Sequence, residues 1–469
     1  MPVGDLLPEL VLLIGAVVIV LFASFSPQRL QHWGASLALL TLAIAVVITA
    51  GQGEAPPKLT FSGVWSLDRA TVAAKLLILV SGGFAVALSP RWMANDRRHG
   101  EYYALILFSL LGAIMMASAT DSMELTIGVL LSSVASYPLV AYHRAWAPAL
   151  EAGMKYFLMG ALANALFVIG IVLIFGLTGA TGYAEIATEL NRNPDPVVVI
   201  AALTFVFIGL AFKLGAFPVY AWMPDVAQGA PAPIAALLTV VPKIAAALAL
   251  ARFVQLLPVS LAWPWVIAVL ATLTMTLGNL AALWQQDLRR LLGWSAVSQS
   301  GYALVAVTVV GATDMAVPSL LVFLAAYAVA NLAAFGAVTH LRGRTALKHY
   351  QGLAHVRPWS AVVIVLALLS FVGIPPLVGF FGKLLLFQAA IDGGYTWLAV
   401  VAVANTVLSL FYYLRVISPM IFAKAAGEYA VLGRGSAVVM LGAGLLVLGL
   451  GLGAQLLIHY VDGVVLLPK

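Results

Sequence analysis

Apolar runs of about 20 residues recur along the whole of this 469-residue chain. A helix of that length crosses the hydrocarbon core of a bilayer, where helices and closed barrels are the only structures that satisfy every backbone hydrogen bond. A soluble surface is excluded, because 63% of the residues are hydrophobic and only 9% are charged. The sequence therefore predicts an all-α polytopic membrane protein.

About fourteen transmembrane helices are predicted from these runs. The first run carries Pro8 and Glu9 and lacks a basic leader, so we expect it to be retained as a helix. The seventh and twelfth runs are too long and too interrupted by proline to be single straight helices. The predicted spans are residues 6–25, 33–50, 70–89, 102–119, 122–141, 154–177, 197–227, 231–251, 260–284, 290–311, 317–340, 358–391, 395–422 and 436–460.

Interrupted helices in corresponding positions of two halves are typical of inverted repeats. We therefore predict two inverted five-helix repeats, helices 4–8 and helices 9–13, with helices 7 and 12 discontinuous. The predicted divisions are residues 1–101 for helices 1–3, 102–251 for the first repeat, 252–422 for the second repeat, and 423–469 for helix 14.

The distribution of basic residues predicts the orientation. Fourteen lie in or beside loops after odd-numbered helices and four beside loops after even-numbered ones. Because cytoplasmic loops carry the excess of Lys and Arg, both termini are predicted on the non-cytoplasmic side. The net charge of +6 then reflects topology and does not indicate nucleic-acid binding. The fourteen are Arg29, Arg91, Arg97, Arg98, Arg144, Arg289, Arg290, Arg342, Arg344, Lys348, Arg357, Arg415, Lys424 and Arg434.

Five lysines lie inside the predicted spans: Lys75, Lys155, Lys213, Lys243 and Lys383. A lysine at the bilayer centre costs about 2.5–3.5 kcal/mol on insertion scales and usually marks a functional site. Lys75 and Lys155 lie near the starts of their spans, where extension of the side chain to the headgroups is an equally good interpretation. The other three are the primary candidates for function.

Prolines strengthen the case for two of these candidates. Pro218 follows Lys213 by five residues, and Pro375-Pro376 precede Lys383. A broken helix in a membrane is tolerated only where protein or water satisfies the freed backbone groups, so such breaks line cavities. A lysine held away from water favours its neutral amine and can act as a proton relay. The residues thus predict a proton- or cation-conducting unit with two half-channels joined across the midplane.

Four motifs around the predicted breaks and the buried lysines are distinctive: Phe212-Lys213-Leu214-Gly215-Ala216-Phe217-Pro218, Trp222-Met223-Pro224-Asp225, Val241-Pro242-Lys243 and Gly373-Ile374-Pro375-Pro376 through Gly382-Lys383. Through these motifs the chain resembles the antiporter-like membrane subunits of respiratory complex I, NADH:quinone oxidoreductase. Within that family the opening Leu7-Pro8-Glu9 and the run Glu151-Ala152-Gly153-Met154-Lys155-Tyr156-Phe157 resemble chain N, the mitochondrial subunit-2 type. The resemblance covers essentially the whole chain.

The resemblance implies a membrane-arm subunit that translocates protons while quinone is reduced elsewhere. It implies neighbours of two kinds, a chain M-like antiporter subunit and the small quinone-proximal subunits. No cofactor is expected in this chain, whereas NADH, FMN, iron–sulfur clusters and quinone are expected in partner subunits. Lys213 would be the broken-helix lysine paired with a fifth-helix glutamate, Lys243 the connecting lysine and Lys383 the exit-side lysine, with Lys155 as a further family lysine.

Departures from the family pattern leave alternatives open. The fifth-helix Gly-x-Glu is replaced by Gly128-Val129-Leu130, and the family's other polar positions hold Tyr220, Gln228 and Gln299. Glu124 earlier on the same helix is one candidate for the missing carboxylate, a neighbouring subunit could supply another, and the chain could be a divergent form that conducts differently or not at all. The rival functions are a subunit of a related cation/proton antiporter or membrane-bound hydrogenase, and a non-pumping structural subunit of the membrane arm.

Overall fold

A computed structural model describes residues 3–94, 96, 99–192, 195–258, 261–425, 427 and 429–467. Arg97 and Arg98, which contributed to the predicted orientation, lie outside the described residues. The described part of the chain is almost entirely helical, with one small β-hairpin.

Nineteen α-helices are present in the described ranges. They are α1 (Leu7–Phe25), α2 (Trp33–Gln52), α3 (Arg69–Trp92), α4 (His99–Ser118), α5 (Ser122–Val140), α6 (Ala147–Thr178), α7 (Tyr183–Leu190), α8 (Pro196–Leu214), α9 (Trp222–Gly229), α10 (Ala232–Val254), α11 (Trp263–Leu283), α12 (Leu288–Thr308), α13 (Ala316–His340), α14 (Leu353–Val356), α15 (Pro358–Val372), α16 (Val378–Asp392), α17 (Thr396–Phe422), α18 (Arg434–Leu452) and α19 (Ala454–Val461).

Every predicted span has a helical counterpart, which confirms the predicted fold class. Twelve helices in the described residues are long and apolar enough to cross a membrane. The remaining two predicted spans correspond to α12, a helix of 21 residues that carries several polar side chains, and to the broken pair α15 and α16. The seventh predicted helix is likewise broken, between the end of α8 and the start of α9. The inverted relation between the two five-helix units and the four sequence divisions stay predictions.

Two helices form the centre of the bundle. All of the apolar window of α10 is buried, and almost all of that of α13 is buried. A helix that is apolar all round is expected in such a position, because no face of it needs to meet a polar phase. α10 packs against α3, α4, α8 and α13, whereas α1, α2, α6 and α18 expose wide apolar faces. Polar groups on α10 are therefore shielded from lipid.

The hairpin and the first and last described residues of the chain lie at one end of the bundle, which we call the terminal face. Strands β1 (Lys58–Thr60) and β2 (Trp65–Leu67) pair antiparallel between α2 and α3. Lys58 and Thr60 each bond to the Asp5 carboxylate at 2.8 Å, which joins the hairpin to the start of α1. The backbone N–H of Leu467 donates to Asp68 at 3.0 Å, just before α3. Strands of three residues leave too short a pattern to be predicted from sequence.

Candidate functional site

Lys213 is the penultimate residue of α8 and is completely buried. Its Nζ donates to the Ser132 hydroxyl on α5 at 3.3 Å. α8 ends immediately afterwards, because Gly215 adopts a left-handed conformation with φ of 69° that an L side chain rarely takes. The predicted break therefore begins directly after the lysine and lies well inside the bundle.

Lys243 lies in the middle of α10 and reaches the same helix end. Its Nζ donates to the carbonyl oxygens of Leu214 at 3.3 Å and Ala296 at 2.6 Å, and it also contacts the Ser300 hydroxyl. Ser300 donates to the Leu214 carbonyl at 2.5 Å. Because the last carbonyls of a helix have no partner within the helix and carry its negative dipole end, they suit a buried amine. The break in α8 thus supplies the acceptor that binds the lysine of a neighbouring helix.

Lys383 on α16 repeats this arrangement at the second break. α15 ends at Val372, followed by Gly373 with φ of 93°. Lys383 donates to the Val372 carbonyl at 3.4 Å and to the Thr406 hydroxyl at 3.3 Å. Its Nζ also lies 4.2 Å from the centre of the Tyr302 ring, within range of a cation–π contact. Both helix breaks therefore hold a lysine on freed carbonyl groups.

Polar side chains of α12 fill the space between the two lysine sites. Gln299 lies next to Ser300 and donates to the Phe371 carbonyl at 3.4 Å, beside the carbonyl that binds Lys383. The Tyr302 hydroxyl lies 2.8 Å from that of Thr406. We call the resulting set the lysine line; it consists of Ser132, Lys213, Leu214, Lys243, Ser300, Gln299, Phe371, Val372, Lys383 and Thr406.

Sequence reasoning missed Ser132, Ser300 and Thr406. The run Ser298-Gln299-Ser300 inside a predicted span was the available signal for one of them. Single hydroxyls such as Ser132 and Thr406 carry no sequence signal, because serine and threonine also occur in membrane helices bonded to their own backbone.

The structure changes which residue of α5 lies opposite Lys213. Leu130, taken from the sequence as the position opposite Lys213, is 36% exposed on the outer surface of the bundle. Two residues later the helix has turned by about 200°, which brings Ser132 to face the lysine. A serine, not Leu130, therefore occupies the position at which a carboxylate would meet Lys213.

Glu124 lies away from Lys213, near the first turn of α5. The charged residues close enough to act on it are Asp121, Lys75, Glu9 and Arg252. In the described residues the ion pairs include none of Lys213, Lys243 and Lys383, whose polar partners are all neutral. Within this chain, Glu124 is thus not brought together with the lysine it was proposed to serve.

Lys75 and Lys155, for which two interpretations were open, differ in the structure. Lys75 is fully buried and forms an ion pair with Glu9 at 2.6 Å, so extension to the headgroups is wrong for this residue. The Lys155 side chain is 46% exposed and forms ion pairs with Glu151 at 2.6 Å and Asp225 at 3.2 Å. No hydrogen bond between described residues joins Lys155 to the lysine line.

A charged cleft of about 130 Å³ surrounds Lys155 at the end of the bundle opposite the terminal face. Arg290 donates to Asp225 at 2.5 Å, and its guanidinium also reaches the amide oxygen of Gln228 at 3.2 Å. Gln228 in turn donates to Asp287, which caps α12. Asp225 is thus a carboxylate shared by two cations, Lys155 and Arg290.

Comparisons with known proteins agree with this architecture. A profile of the family described as NADH:quinone oxidoreductase/Mrp antiporter, TM, matches residues 119–409. NADH-quinone oxidoreductase subunit N of Mycobacterium sp. (strain JLS) is 45% identical over 87% of each chain. Subunit N 1 of Streptomyces griseus subsp. griseus is 40% identical over 97% of this chain and 96% of its own length.

A solved structure gives the same result at lower identity. A chain of respiratory complex I from Thermus thermophilus with bound aureothin superposes with a TM-score of 0.81 at 28% identity, covering 97% of this chain and 99% of that chain. The family resemblance seen in the sequence is thereby confirmed. The chain belongs to the NADH:quinone oxidoreductase/Mrp antiporter transmembrane family, and within it to the subunit N type.

Proposed function

We propose that this chain is a proton-translocating membrane-arm subunit of an NADH:quinone oxidoreductase, in which Lys213, Lys243 and Lys383 carry protons. The supporting observation is the lysine line itself, in which two buried amines bind the carbonyls freed at two helix breaks, a third lies beside the first break, and polar groups connect them. Apolar packing alone gives no reason to keep amines at these depths.

The geometry suggests how a proton moves along the line. Lys213 and Lys243 meet at the end of α8, because Lys243 bonds to the carbonyl of the residue after Lys213. Ser300 bonds to the same carbonyl and Gln299 points to the second break, so hydroxyl and amide groups lead from one lysine site towards the other. A protonated amine donates to these acceptors, and a neutral amine can accept a proton from its neighbour through water. The lysines thereby bind and pass protons, while the serines and Gln299 position them.

The proposal includes partner subunits, because the relatives are named as one subunit of an oxidoreductase. NADH, FMN, iron–sulfur clusters and quinone would be bound by other subunits, and the membrane neighbours would be a chain M-like subunit and the small quinone-proximal subunits. The bacterial relatives favour the inner membrane, with both termini on the non-cytoplasmic side as the basic loops predict. The subunit N names of these relatives favour this function over a cation/proton antiporter.

One observation favours a second function, that of a non-pumping structural subunit. Within the described residues Lys213 contacts a serine and no carboxylate. Movement of a carboxylate towards and away from a lysine is a direct way to load and release its proton. Without such a carboxylate, loading must come from a partner subunit or from the other lysines.

Substitution of Lys243 separates the two functions. In the assembled complex, Lys243→Met removes the amine that bonds to the end of α8, and we expect NADH-driven proton uptake by inverted membrane vesicles to fall at least severalfold. Lys348→Met, at an exposed lysine in a short 3-10 helix, is the matched control and should leave uptake unchanged. The yield of whole complex measures assembly. Normal uptake by fully assembled Lys243→Met complex would support the structural role and exclude pumping through this residue.

A further inference from the structure

A second cluster of buried charges lies at the terminal face, outside the lysine line. Glu9 on α1 and Glu124 on α5 are each 5% exposed, and Lys75 on α3 is fully buried. Lys75 and Glu9 form their ion pair at 2.6 Å. Glu124 lies close enough to both to interact electrostatically with them.

Among the described residues, no cation forms an ion pair with Glu124. Lys75 is paired with Glu9, and Arg252 is paired with Asp68 at 2.8 Å. Asp121 caps α5 by accepting a bond from the Met123 N–H at 2.7 Å. The buried groups that interact electrostatically with Glu124 include Asp121 at the N-cap of its own helix, Glu9 from α1, Lys75 from α3, Tyr183 from α7 and Arg252 from α10.

The carboxyl groups of this cluster outnumber its cations, so one carboxyl group can bind a proton. Its carboxyl groups number four, on Glu9, Asp68, Asp121 and Glu124, against the two cations Lys75 and Arg252. An unmatched charge in a low-dielectric interior is costly, and it is relieved by a proton or by water.

Unpartnered polar atoms are concentrated at the same place. Among the described residues neither carboxylate oxygen of Glu124 has a hydrogen-bond partner, and the same is true of the Tyr183 hydroxyl and the Trp65 Nε1. Tyr183 interacts electrostatically with Glu124, and the Trp65 ring lies 5.4 Å from the Lys75 amine. Buried polar atoms in native proteins are nearly always bonded, so several unbonded ones together indicate a site for water.

The cluster is connected to the lysine line by two helices. Glu124 precedes Ser132 by eight residues on α5, about 12 Å along the axis. Arg252 follows Lys243 by nine residues on α10, about 14 Å. The cluster therefore lies on the terminal-face side of the lysine line, about 12–14 Å from it along these helices.

We propose that Glu124, together with the Glu9–Lys75 ion pair, forms a hydrated proton-binding site through which protons pass between the lysine line and the terminal face. Glu124 takes up one proton through water and later gives one proton to water. The Lys75–Glu9 ion pair does not exchange its proton and holds the neighbouring helices in position. This site extends the proposed function and rests on it for the direction of transfer, but its proton binding can be measured independently.

Infrared spectroscopy measures that binding directly. Complex reconstituted in lipid nanodiscs is titrated with acid and base, and pH-difference spectra are recorded in H₂O and D₂O. We expect wild-type complex to show a carboxylic-acid carbonyl band that shifts in D₂O and is lost in Glu124→Gln. Glu185→Gln, an exposed glutamate near the same end, is the matched control and should keep the band. An unchanged difference spectrum in Glu124→Gln would overturn the site.

Measurements of proton pumping then distinguish a defect at this site from a defect in the lysine line. Glu124→Gln should lower the protons moved per NADH oxidised severalfold, and the double variant Glu9→Gln/Lys75→Met, which removes both charges at once, should do the same. Lys243→Met should lower pumping at least severalfold but retain the infrared band. If Lys243→Met lowers pumping in this way while assembled Glu124→Gln pumps normally, the terminal-face site is rejected and the proposed function stands. If neither substitution alters pumping but the band is lost in Glu124→Gln, the proposed function fails and proton binding at Glu124 is retained.

Discussion

At the scale of single residues, the lysines are held by neutral acceptors. Carbonyl and hydroxyl oxygens surround Lys213, Lys243 and Lys383, and the only buried lysine with a carboxylate partner in the described residues is Lys75. A neutral acceptor bonds to a charged amine but gives less stabilisation than an ion pair in the same interior. The lysine line is thus suited to give up protons readily.

A carboxylate placed opposite Lys213 should change this behaviour. In Ser132→Asp the new carboxylate lies within ion-pair range of the amine, because the serine hydroxyl is already 3.3 Å from it. An ion pair holds the proton on the lysine more tightly, so we expect slower translocation near neutral pH and a rate that persists to more alkaline pH. Rates of NADH-driven proton uptake across a pH series give the measurement.

Leu130→Asp is the matched control for this prediction. It adds the same side chain two residues earlier on α5, where Leu130 is exposed on the outer surface. We expect a lower yield of assembled complex, because a carboxylate on the apolar outer surface of this bundle is costly within a membrane, and we expect no change in the pH profile. A shifted profile in Leu130→Asp, with none in Ser132→Asp, would mean that the side of α5 facing Lys213 has been wrongly assigned.

At the scale of the element, close helix contacts set the positions of the lysine partners. A Cβ added at Gly128 on α5 would lie 2.8 Å from the Met116 N and 3.0 Å from the Gly112 carbonyl oxygen on α4. Small residues allow this backbone approach in membrane helices. Gly128 is the glycine that the chain keeps from the family's Gly-x-Glu motif. Its close packing against α4 therefore sets the position of α5, and hence the position of Ser132.

Substitution at this contact should be destabilising. Gly128→Ala forces α4 and α5 apart, and we expect a loss of about 1–3 kcal/mol in stability. The measurement is thermal unfolding of the purified complex in detergent. Gly83→Ala is the control, because a Cβ at Gly83 on α3 meets nothing within 4 Å and should increase helix stability by up to about 1 kcal/mol. Equal unfolding temperatures for the two variants would contradict the close contact.

At the scale of the whole molecule, Asp68 joins the C-terminal segment to the start of α3 and to the central helix α10. It caps α3 by accepting from the Thr71 N–H at 2.7 Å, accepts from the Leu467 N–H, and pairs with Arg252 at the end of α10. Burial alone would raise the pKa of Asp68. Arg252 and the hydrogen bonds outweigh burial and hold that pKa below its ordinary value of 3.8.

The sign of this shift predicts how the contribution of Asp68 depends on pH. A carboxyl group with a lowered folded-state pKa stabilises the fold fully above its unfolded pKa, and this stabilisation is lost as the pH falls through the folded value. We expect Asp68→Asn to be destabilised by about 3–5 kcal/mol at neutral pH, because Arg252 loses its buried partner. The difference from wild type should shrink as the pH falls below 3.8.

Thermal unfolding across a pH series tests the prediction. Asp195→Asn is the control, since Asp195 caps α8 at an exposed position where asparagine caps equally well. A difference between Asp68→Asn and wild type that stays constant down to strongly acidic pH would show that the ion pair is unimportant.

Much of this architecture could be predicted from sequence, because the bilayer imposes the length and composition of each span. Proline and glycine marked both helix breaks, and the rarity of lysine in such spans marked Lys213, Lys243 and Lys383. Which face of α5 meets Lys213 could not be predicted, since an offset of two residues reverses the face and nothing in the local pattern fixes it. The Glu9–Lys75 pair joins residues from separate helices, so it depends on tertiary packing.

The ends of α8 and α15 have a consequence for how this protein can vary. The oxygens of Leu214 and Val372 that bind Lys243 and Lys383 are part of the peptide chain itself. Replacing the side chain of Leu214 or Val372 leaves the carbonyl oxygen in place, so the hydrogen bonds to both lysines tolerate substitution at these two positions. A change that moves the end of the helix, for example at Gly215 or Gly373, would remove them.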